Sequence, residues 1–508
     1  MGIRVSARYH QTPDMEQWNR NPLISALGPY HDDAKLAEML KRNPYDNLSI
    51  ERLPKHIKRI WIEKLRDEAF VPITDNIEIA QTVQTMLFMG LMRRDPTGPE
   101  VWAGLYESGR QKGRSIDELP WSSEWADGLS ISAMTGRGKT HAIKRYLSLL
   151  PQVIDHDTFP GVPWKKQSQL VYLYFDMSFD GTLGGLLYQI VSAFDLALGT
   201  NHRSEYFQRG MTLMKLQVYV IDLLRQVFCG FLVIDELQKA NTITGHSPEL
   251  VAGFFLRLMN AGIPVIFTGA PYGFNLFHSV AQDAARTTSG GELILRPMSA
   301  DDPAWDLVLV PGMWQMQVMP VIGELDAKIR KALYQCSGGL PRYLTMAQQN
   351  GQIMAISENS QCVTAEHIYA GFQHLVAAVM REMIEGLVER DPAKLIQFVD
   401  IDVFDLARHW GIPPLELLKR LNPNGAAHVE AQTNKTNDAS EISKRDQLAK
   451  IAVDEFIEAE RKKIERQLKT KQTNAAKRKE AKESMVEGDV RKSGYEGHLA
   501  DSYMSLHK

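Results

Sequence analysis

Ala133-Met134-Thr135-Gly136-Arg137-Gly138-Lys139-Thr140 is the stretch from which the rest of the chain is read. It opens on a small residue, runs four residues to Gly-Lys and ends in a hydroxyl. An apolar run, Leu129–Ala133, precedes it, and helical patterning starts near His141. In a strand–loop–helix context such a loop turns its backbone N–H groups, and the helix N-terminus behind them, toward phosphate oxygens. Gly136 and Gly138 supply backbone angles and a close approach that a Cβ would deny. The residues expected to bind the nucleotide are Ala133, Met134, Thr135, Gly136, Arg137, Gly138, Lys139, Thr140 and His141. Lys139 is expected to reach the β- and γ-phosphates, and the Thr140 hydroxyl to ligate Mg²⁺. The cofactors read from this loop are ATP and Mg²⁺.

A second apolar run, Phe231-Leu232-Val233-Ile234, ends in Asp235-Glu236. Ligands of open α/β sheets bind at the carboxyl ends of the strands, so both carboxylates face the nucleotide. Asp235 is expected to hold Mg²⁺ through water, and Glu236 to orient or deprotonate the water that attacks the γ-phosphate. Three further residues are candidates for catalysis. Thr268, at the end of the run Pro264–Thr268, either positions the attacking water or is an ordinary strand-end threonine. Arg286, in the polar turn Ala285–Gly291, either enters a neighbouring subunit's site or is a solvated surface charge. Arg342, in the glycine turn Ser337-Gly338-Gly339-Leu340-Pro341-Arg342, either senses the γ-phosphate or is a surface charge at a helix start.

Working outward, the apolar runs Leu129–Ala133, Leu170–Phe175, Phe231–Ile234, Pro264–Thr268 and Glu292–Leu295 alternate with helical segments. Several are apolar at successive residues, as strands buried on both faces of a parallel sheet are. Alternation of strand and helix predicts an α/β sandwich. From about 299 to 386 only helical periodicity remains. The division expected is 1–74 as an N-terminal helical extension, 75–298 as the nucleotide-binding α/β subdomain and 299–386 as a helical lid. Residues 387–424 then read as a helical connector and 425–508 as a linker and C-terminal tail. The chain of 508 residues is 44% apolar, 23% charged and carries a net charge of −3, so any nucleic acid must be met by local patches. Its three cysteines, Cys229, Cys336 and Cys362, form no CxxC pair, which excludes a disulfide framework and a Cys-rich zinc module and fits a reducing compartment. No run of 18 apolar residues is present and the N-terminus lacks the apolar stretch of a signal peptide, so no membrane association is expected.

Taken together, these motifs resemble an AAA+ ATPase module (a P-loop NTPase), a three-layer sandwich with a parallel sheet plus a helical lid, over about residues 75 to 386. A closer resemblance lies outside the nucleotide motifs. Asn21-Pro22-Leu23-Ile24-Ser25-Ala26-Leu27 is similar to a segment near the start of TnsC, the AAA+ regulator of transposons with a heteromeric transposase. So are Leu150–Ile154, Tyr172–Asp176, Asp180–Leu183 and Asp195–Asn201, while Val233–Gln238 resembles the strand end of the shorter TniB proteins. The resemblance implies an ATPase that oligomerises as a ring or filament on double-stranded DNA and couples target selection to the transposase. It gives Lys139, Thr140, Asp235 and Glu236 their usual roles and makes Arg286 the trans-acting finger. It also implies a bacterial cytoplasmic, nucleoid-associated protein. A target-selection protein would meet the N-terminal region, and transposase and endonuclease subunits the C-terminal tail.

A regulator that accepts many target sequences needs phosphate contacts more than base contacts. Lys165, Lys166 and Thr182 are the candidates to track a DNA strand; a solvated loop is the alternative. The block Arg461–Lys482, with ten Lys/Arg against two Glu, either docks a partner or DNA or is a solvated tail. Trp18 and Tyr30 serve as partner anchors or pack on the ATPase core. The competing function is a replication initiator or helicase loader. Those carry a helix-turn-helix after the lid, where this chain is expected to have a polar linker, 422–440, and then the basic block. A non-hydrolysing scaffold and a metabolic P-loop kinase fit less well.

Overall fold

The computed structural model describes residues 2–46, 48–50, 53–110, 125–206, 211–242, 248–278, 281–432, 443–460, 462–464 and 466. Eight strands occur among them: β1 Arg4–Ser6, β2 Gly128–Ala133, β3 Val153–His156, β4 Gln167–Leu170, β5 Tyr172–Asp176, β6 Phe231–Asp235, β7 Val265–Gly269 and β8 Gly291–Leu295. The main sheet runs β5-β6-β7-β2-β8 with every pairing parallel. Alternate residues of each strand enter different cores. Leu232, Ile234, Val265 and Phe267 pack with the helices Leu183–Leu198, Leu213–Gln226 and Pro248–Asn260. Phe231, Val233, Ile266 and Leu129 pack with the helices Thr74–Arg93 and Lys139–Leu147. This is the three-layer α/β sandwich with a parallel sheet that the sequence predicts.

The run Leu170–Phe175 is not one strand. Leu170 pairs with Val153 in a second sheet, ordered β1-β3-β4, and Tyr172 pairs with Phe231 in the main sheet. The chain changes sheets at Val171, whose N–H donates to the Gln152 carbonyl at 2.8 Å. No glycine or proline marks that point, so the sequence reads straight through it.

The first 74 residues are integral to this body rather than an appendage. Leu23 and Ile24 are buried in the core, where each contributes about 1.5–3 kcal/mol. Asn21 caps Pro22–Ser25 and donates through Nδ2 to the Leu91 carbonyl at 3.0 Å. Trp18, tilted, and Tyr30, edge-on, meet Phe88 at centroid distances of 5.0 and 5.3 Å, so they pack on the ATPase core. Arg145 of the P-loop helix donates to the carbonyls of Met39 and Leu40 at the end of the helix Asp33–Leu40.

After β8 the chain is helical, as expected of a lid. The glycine turn shows why it is built that way. Gly338 and Gly339 have φ of 60° and 74°, and a Cβ on Gly339 would lie 1.9 Å from the Met298 carbonyl oxygen. The lid helix Pro341–Ser357 reaches two elements: Arg342 N–H donates to the Gly136 carbonyl at 3.1 Å, and Gln349 Nε2 to the Ile62 carbonyl at 2.8 Å.

The chain divides into two compact units, Met1–Glu389 with Asp400–Asp402, and Arg390–Val399 with Val403–Lys508. In the second, the expected polar linker is partly a helix, Pro423–Gln432. Its Asn-Pro start is a cap, not a turn: Asn422 Oδ1 accepts the Gly425 N–H at 3.0 Å, and Ala426 and Val429 are buried one helical turn apart. The helices Val403–His409 and Pro414–Leu421 are joined across Gly411, at φ 72°, with Ala407 fully buried beside the turn. In the helix 443–460 the buried stripe is Ala449, Val453 and Ile457, while Ile451 is exposed. The basic block lies outside the described residues except for 462–464 and 466.

Candidate nucleotide site

A cleft of about 420 Å³ opens at the carboxyl end of β2. The loop Thr135–Lys139, with Thr140 and His141, forms one wall. Gly136 and Gly138 sit at φ 93° and 98°, where an L side chain is strained, as their place in the motif requires. The lid contributes Leu309, Met313, Pro341, Arg342 and Thr345, and the N-terminal region contributes Arg66, Ala69, Phe70, Val71, Ile73 and Asn76. Phe70 meets His141 edge-on at 5.2 Å. The apolar part of the cleft suits a base, and the glycine loop suits phosphates. Burial, then the nearby Arg145 charge, hold the His141 pKa below its ordinary value, so its ring faces the cleft neutral.

Behind Thr140 lies Asp235, 2% exposed. Its carboxylate accepts from Thr140 Oγ1 at 2.7 Å, from Tyr174 OH at 2.8 Å, from the Glu236 N–H at 2.8 Å, and from Thr268 Oγ1. Burial alone would raise its pKa, but these hydrogen bonds more than offset that and hold it below the ordinary value. Asp235 therefore stays an anion at neutral pH. Its stabilising contribution is complete above the unfolded carboxylate pKa and is lost only as pH falls through the depressed folded value. A hydroxyl beside an ionised carboxylate is an all-oxygen donor pair, which fits Mg²⁺. Thr140 and Asp235 are the residues that would hold the ion, whose chemistry is to neutralise charge on the phosphates.

Glu236 follows at φ 58°, an uncommon backbone for a side chain other than glycine. Glu236 lines the cleft, as do Lys139 and Arg342. Arg342 is exposed at the cleft mouth, on the first turn of the lid helix.

A profile of the AAA domain family matches residues 126–277, which hold the loop, Asp235 and Glu236. Residues 126–277 are similar to the AAA domain family. No curated protein matches the chain. Among solved structures, the chain is similar to ORC2 of Aeropyrum pernix in its ADPNP–ADP complexes, at 11% identity and a TM-score of 0.36, covering 71% of this chain and 94% of that one. It is also similar to Cdc6p of Pyrobaculum aerophilum, at 12% identity and a TM-score of 0.34, over 71% and 95% of the two chains. A third is the RuvB Holliday junction branch migration motor of Thermotoga maritima, at 13% identity and a TM-score of 0.29, over 63% and 86%.

The expected site is only partly assembled as read. Ala133 and Met134 are buried beneath the loop and do not line the cleft. Arg137 turns away from the nucleotide: its Nε donates to the Arg296 carbonyl at 2.6 Å and its NH2 pairs with Asp75. Thr268 does not face the cleft either, because the pairing of Ile234 with Phe267 sets it beside Asp235, where its hydroxyl is used. Arg286 lies in the last turn of a helix, Ala281–Thr287, rather than in a turn. It is at the amino end of the sheet, where Gly290 N–H donates to the Gly128 carbonyl at 2.8 Å, and so lies away from its own nucleotide loop. Its guanidinium covers the Trp125 ring at 5.1 Å, and Trp125 is itself 48% exposed.

Lys165 and Lys166 are exposed on the β3–β4 loop, near the amino end of β6, since Gln167 Nε2 donates to the Gln226 carbonyl at 2.8 Å. Thr182 lies beyond the carboxyl end of β5, where its hydroxyl donates to Asp180 at 2.8 Å and caps the helix Leu183–Leu198. The two candidate DNA contacts are thus at opposite ends of the sheet. Tyr174 is the residue the sequence reading missed. Its position on β5, next to β6, is the only signal, and register alone places its hydroxyl on Asp235.

Proposed function

We propose that this chain is an ATP-hydrolysing switch that oligomerises on double-stranded DNA, coupling target selection to recruitment of a transposase. The observation that carries the switch is the site itself. Lys139, Thr140 and Glu236 line one cleft with Asp235 buried directly behind Thr140, while Arg286, the candidate to complete it, lies at the far end of the sheet and would serve the cleft of a second copy. Asp235 and Thr140 hold the metal, Lys139 and the loop N–H groups bind the phosphates, and Glu236 takes the proton of the attacking water. The transposition part is supported by the ordered TnsC-like segments. One of them, Asn21–Leu27, is tied into the ATPase core here. The N-terminal residues that remain exposed would meet the target selector, and the basic tail the transposase and endonuclease subunits.

Electron microscopy and sedimentation with duplex DNA test this reading. Rings or filaments should form with a non-hydrolysable ATP analogue and be lost with ADP. Material that stays monomeric with both sinks it. On the DNA side, Lys165→Ala with Lys166→Ala should weaken duplex binding and reduce the salt slope by roughly two, at about 0.9 per phosphate contact. An unchanged slope rejects that assignment. Thr182, whose hydroxyl is already engaged, should contribute little.

A second reading, a replication initiator or helicase loader, is favoured by one feature. Val403–His409, Gly411 and Pro414–Leu421 form a helix–glycine–helix connection after the lid, the form that helix-turn-helix readers take. Footprinting on mixed duplexes separates the two. Sequence-selective protection favours the second reading and uniform protection the first.

A further inference from the structure

We propose that Gln238 is a positioning residue for hydrolysis: it holds the Glu236 carboxylate by one oxygen and fixes that hold to the end of β7. The inference rests on the reading above that Glu236 activates water. Gln238 Nε2 donates to Glu236 Oε2 at 2.8 Å, and Gln238 Oε1 accepts the Ala270 N–H at 3.0 Å. The chemistry of the two partners fixes the orientation of the amide. A backbone N–H can only donate and an ionised carboxylate can only accept, so a single orientation of the Gln amide satisfies both.

The pocket around this amide is shaped for it. A Cβ on Gly269 would lie 2.9 Å from Gln238 Oε1, and a Cβ on Gly273 would lie 2.7 Å from the Gln238 backbone nitrogen. Both glycines keep the space that the side chain and its helical turn occupy. Glu236 needs such a tether because its φ of 58° ends the strand abruptly and leaves its side chain projecting into an open cleft. With Oε2 engaged, Oε1 is the oxygen left to take a proton from water. The tether also joins the base to the strand that carries Thr268, so movement of that strand end is felt at Glu236.

The discriminating variants perturb the two bonds in different ways. Gln238→Glu keeps an acceptor for the Ala270 N–H but sets a carboxylate against Glu236. Gln238→Met removes both bonds at similar volume. Gly269→Ala leaves Gln238 in place chemically and displaces its amide sterically. In the full-length protein, with ATP turnover measured by phosphate release, all three should lower kcat by about 10- to 100-fold, as misplacement of a reacting group does. KM for ATP and the melting temperature should stay near wild type. If Gln238 only ties the strand ends together, Gln238→Glu keeps wild-type kcat while Gln238→Met loses stability, and the proposal fails. It also fails if wild-type turnover, abolished by Glu236→Gln, survives in all three variants; the hydrolysis reading then stands without it. A wild-type protein that turns over no ATP overturns both.

Discussion

Glu236→Gln is expected to cut ATP turnover by about 10²–10⁴-fold, the range that removal of a general base costs, while ATP binding stays close to wild type. The substitution is nearly isosteric. It leaves the cleft, the glycine loop and the Asp235 cluster untouched, and the new amide oxygen still accepts from Gln238 Nε2. What it removes is the proton acceptor. Phosphate release under saturating ATP, paired with binding of a fluorescent ATP analogue, separates the two effects. Asp235→Asn is a poorer probe of the same chemistry. Four donors converge on Asp235, from Thr140, Tyr174, Thr268 and the Glu236 N–H. An Asn there points its own NH₂ donors at donors, so folding and metal affinity fall together. On the proposed reading, the Glu236→Gln protein should also stay assembled on DNA with ATP, where wild type disassembles or moves on. Turnover that persists in this variant would show that another group activates the water.

The phosphate loop, the acidic strand end and the alternation of buried strands with helices were legible because each is a local pattern with a local cause. A glycine loop between strand and helix needs no tertiary context to be read. What escaped the sequence was set by register and by contacts across long separations. Thr268 reads from the sequence either as a water-positioning residue or as an ordinary strand-end threonine, and only the pairing of β6 with β7 turns its hydroxyl to Asp235. Tyr174 reaches the same carboxylate from β5 for the same reason. The apolar wall of the cleft, Phe70 and Val71, comes from a segment that reads as an N-terminal helical extension, because nothing in its composition says that it folds against the lid. Val171, where the chain leaves one sheet for another, carries no turn signal at all. The helix Pro423–Gln432 was hidden by the opposite problem: Asn-Pro and Gly signal both a turn and a helix start, and only the buried spacing of Ala426 and Val429 decides between them.

Asp75→Ala is expected to destabilise the protein by about 3 kcal/mol, the lower end of the range for breaking a buried ion pair. Arg137 sits inside the phosphate loop with its side chain only 3% exposed, and Asp75 is its sole ion-pair partner among the described residues. Burial lowers the Arg137 pKa, and the Asp75 charge, then that of Asp302, which remains in the variant, oppose the shift. Removing the acid leaves a guanidinium in the protein interior with the Arg296 carbonyl as its remaining acceptor. The estimate is held low because Asp75 itself is 34% exposed, and water screens part of the attraction. Unfolding entropy grows with length, so a unit of this size shifts by about 1–2 °C per kcal/mol and the melting temperature should fall by roughly 3–6 °C. The cost also reaches the site, because Arg137 stands between the two glycines that shape the loop, so KM for ATP should rise with the loss of stability. The sign of a double substitution makes the argument strict. Arg137→Met removes the buried charge, so Asp75→Ala combined with Arg137→Met should be more stable than Asp75→Ala alone. If the double variant is instead the less stable of the two, the pair does not work through charge, and Arg137 holds the loop by packing.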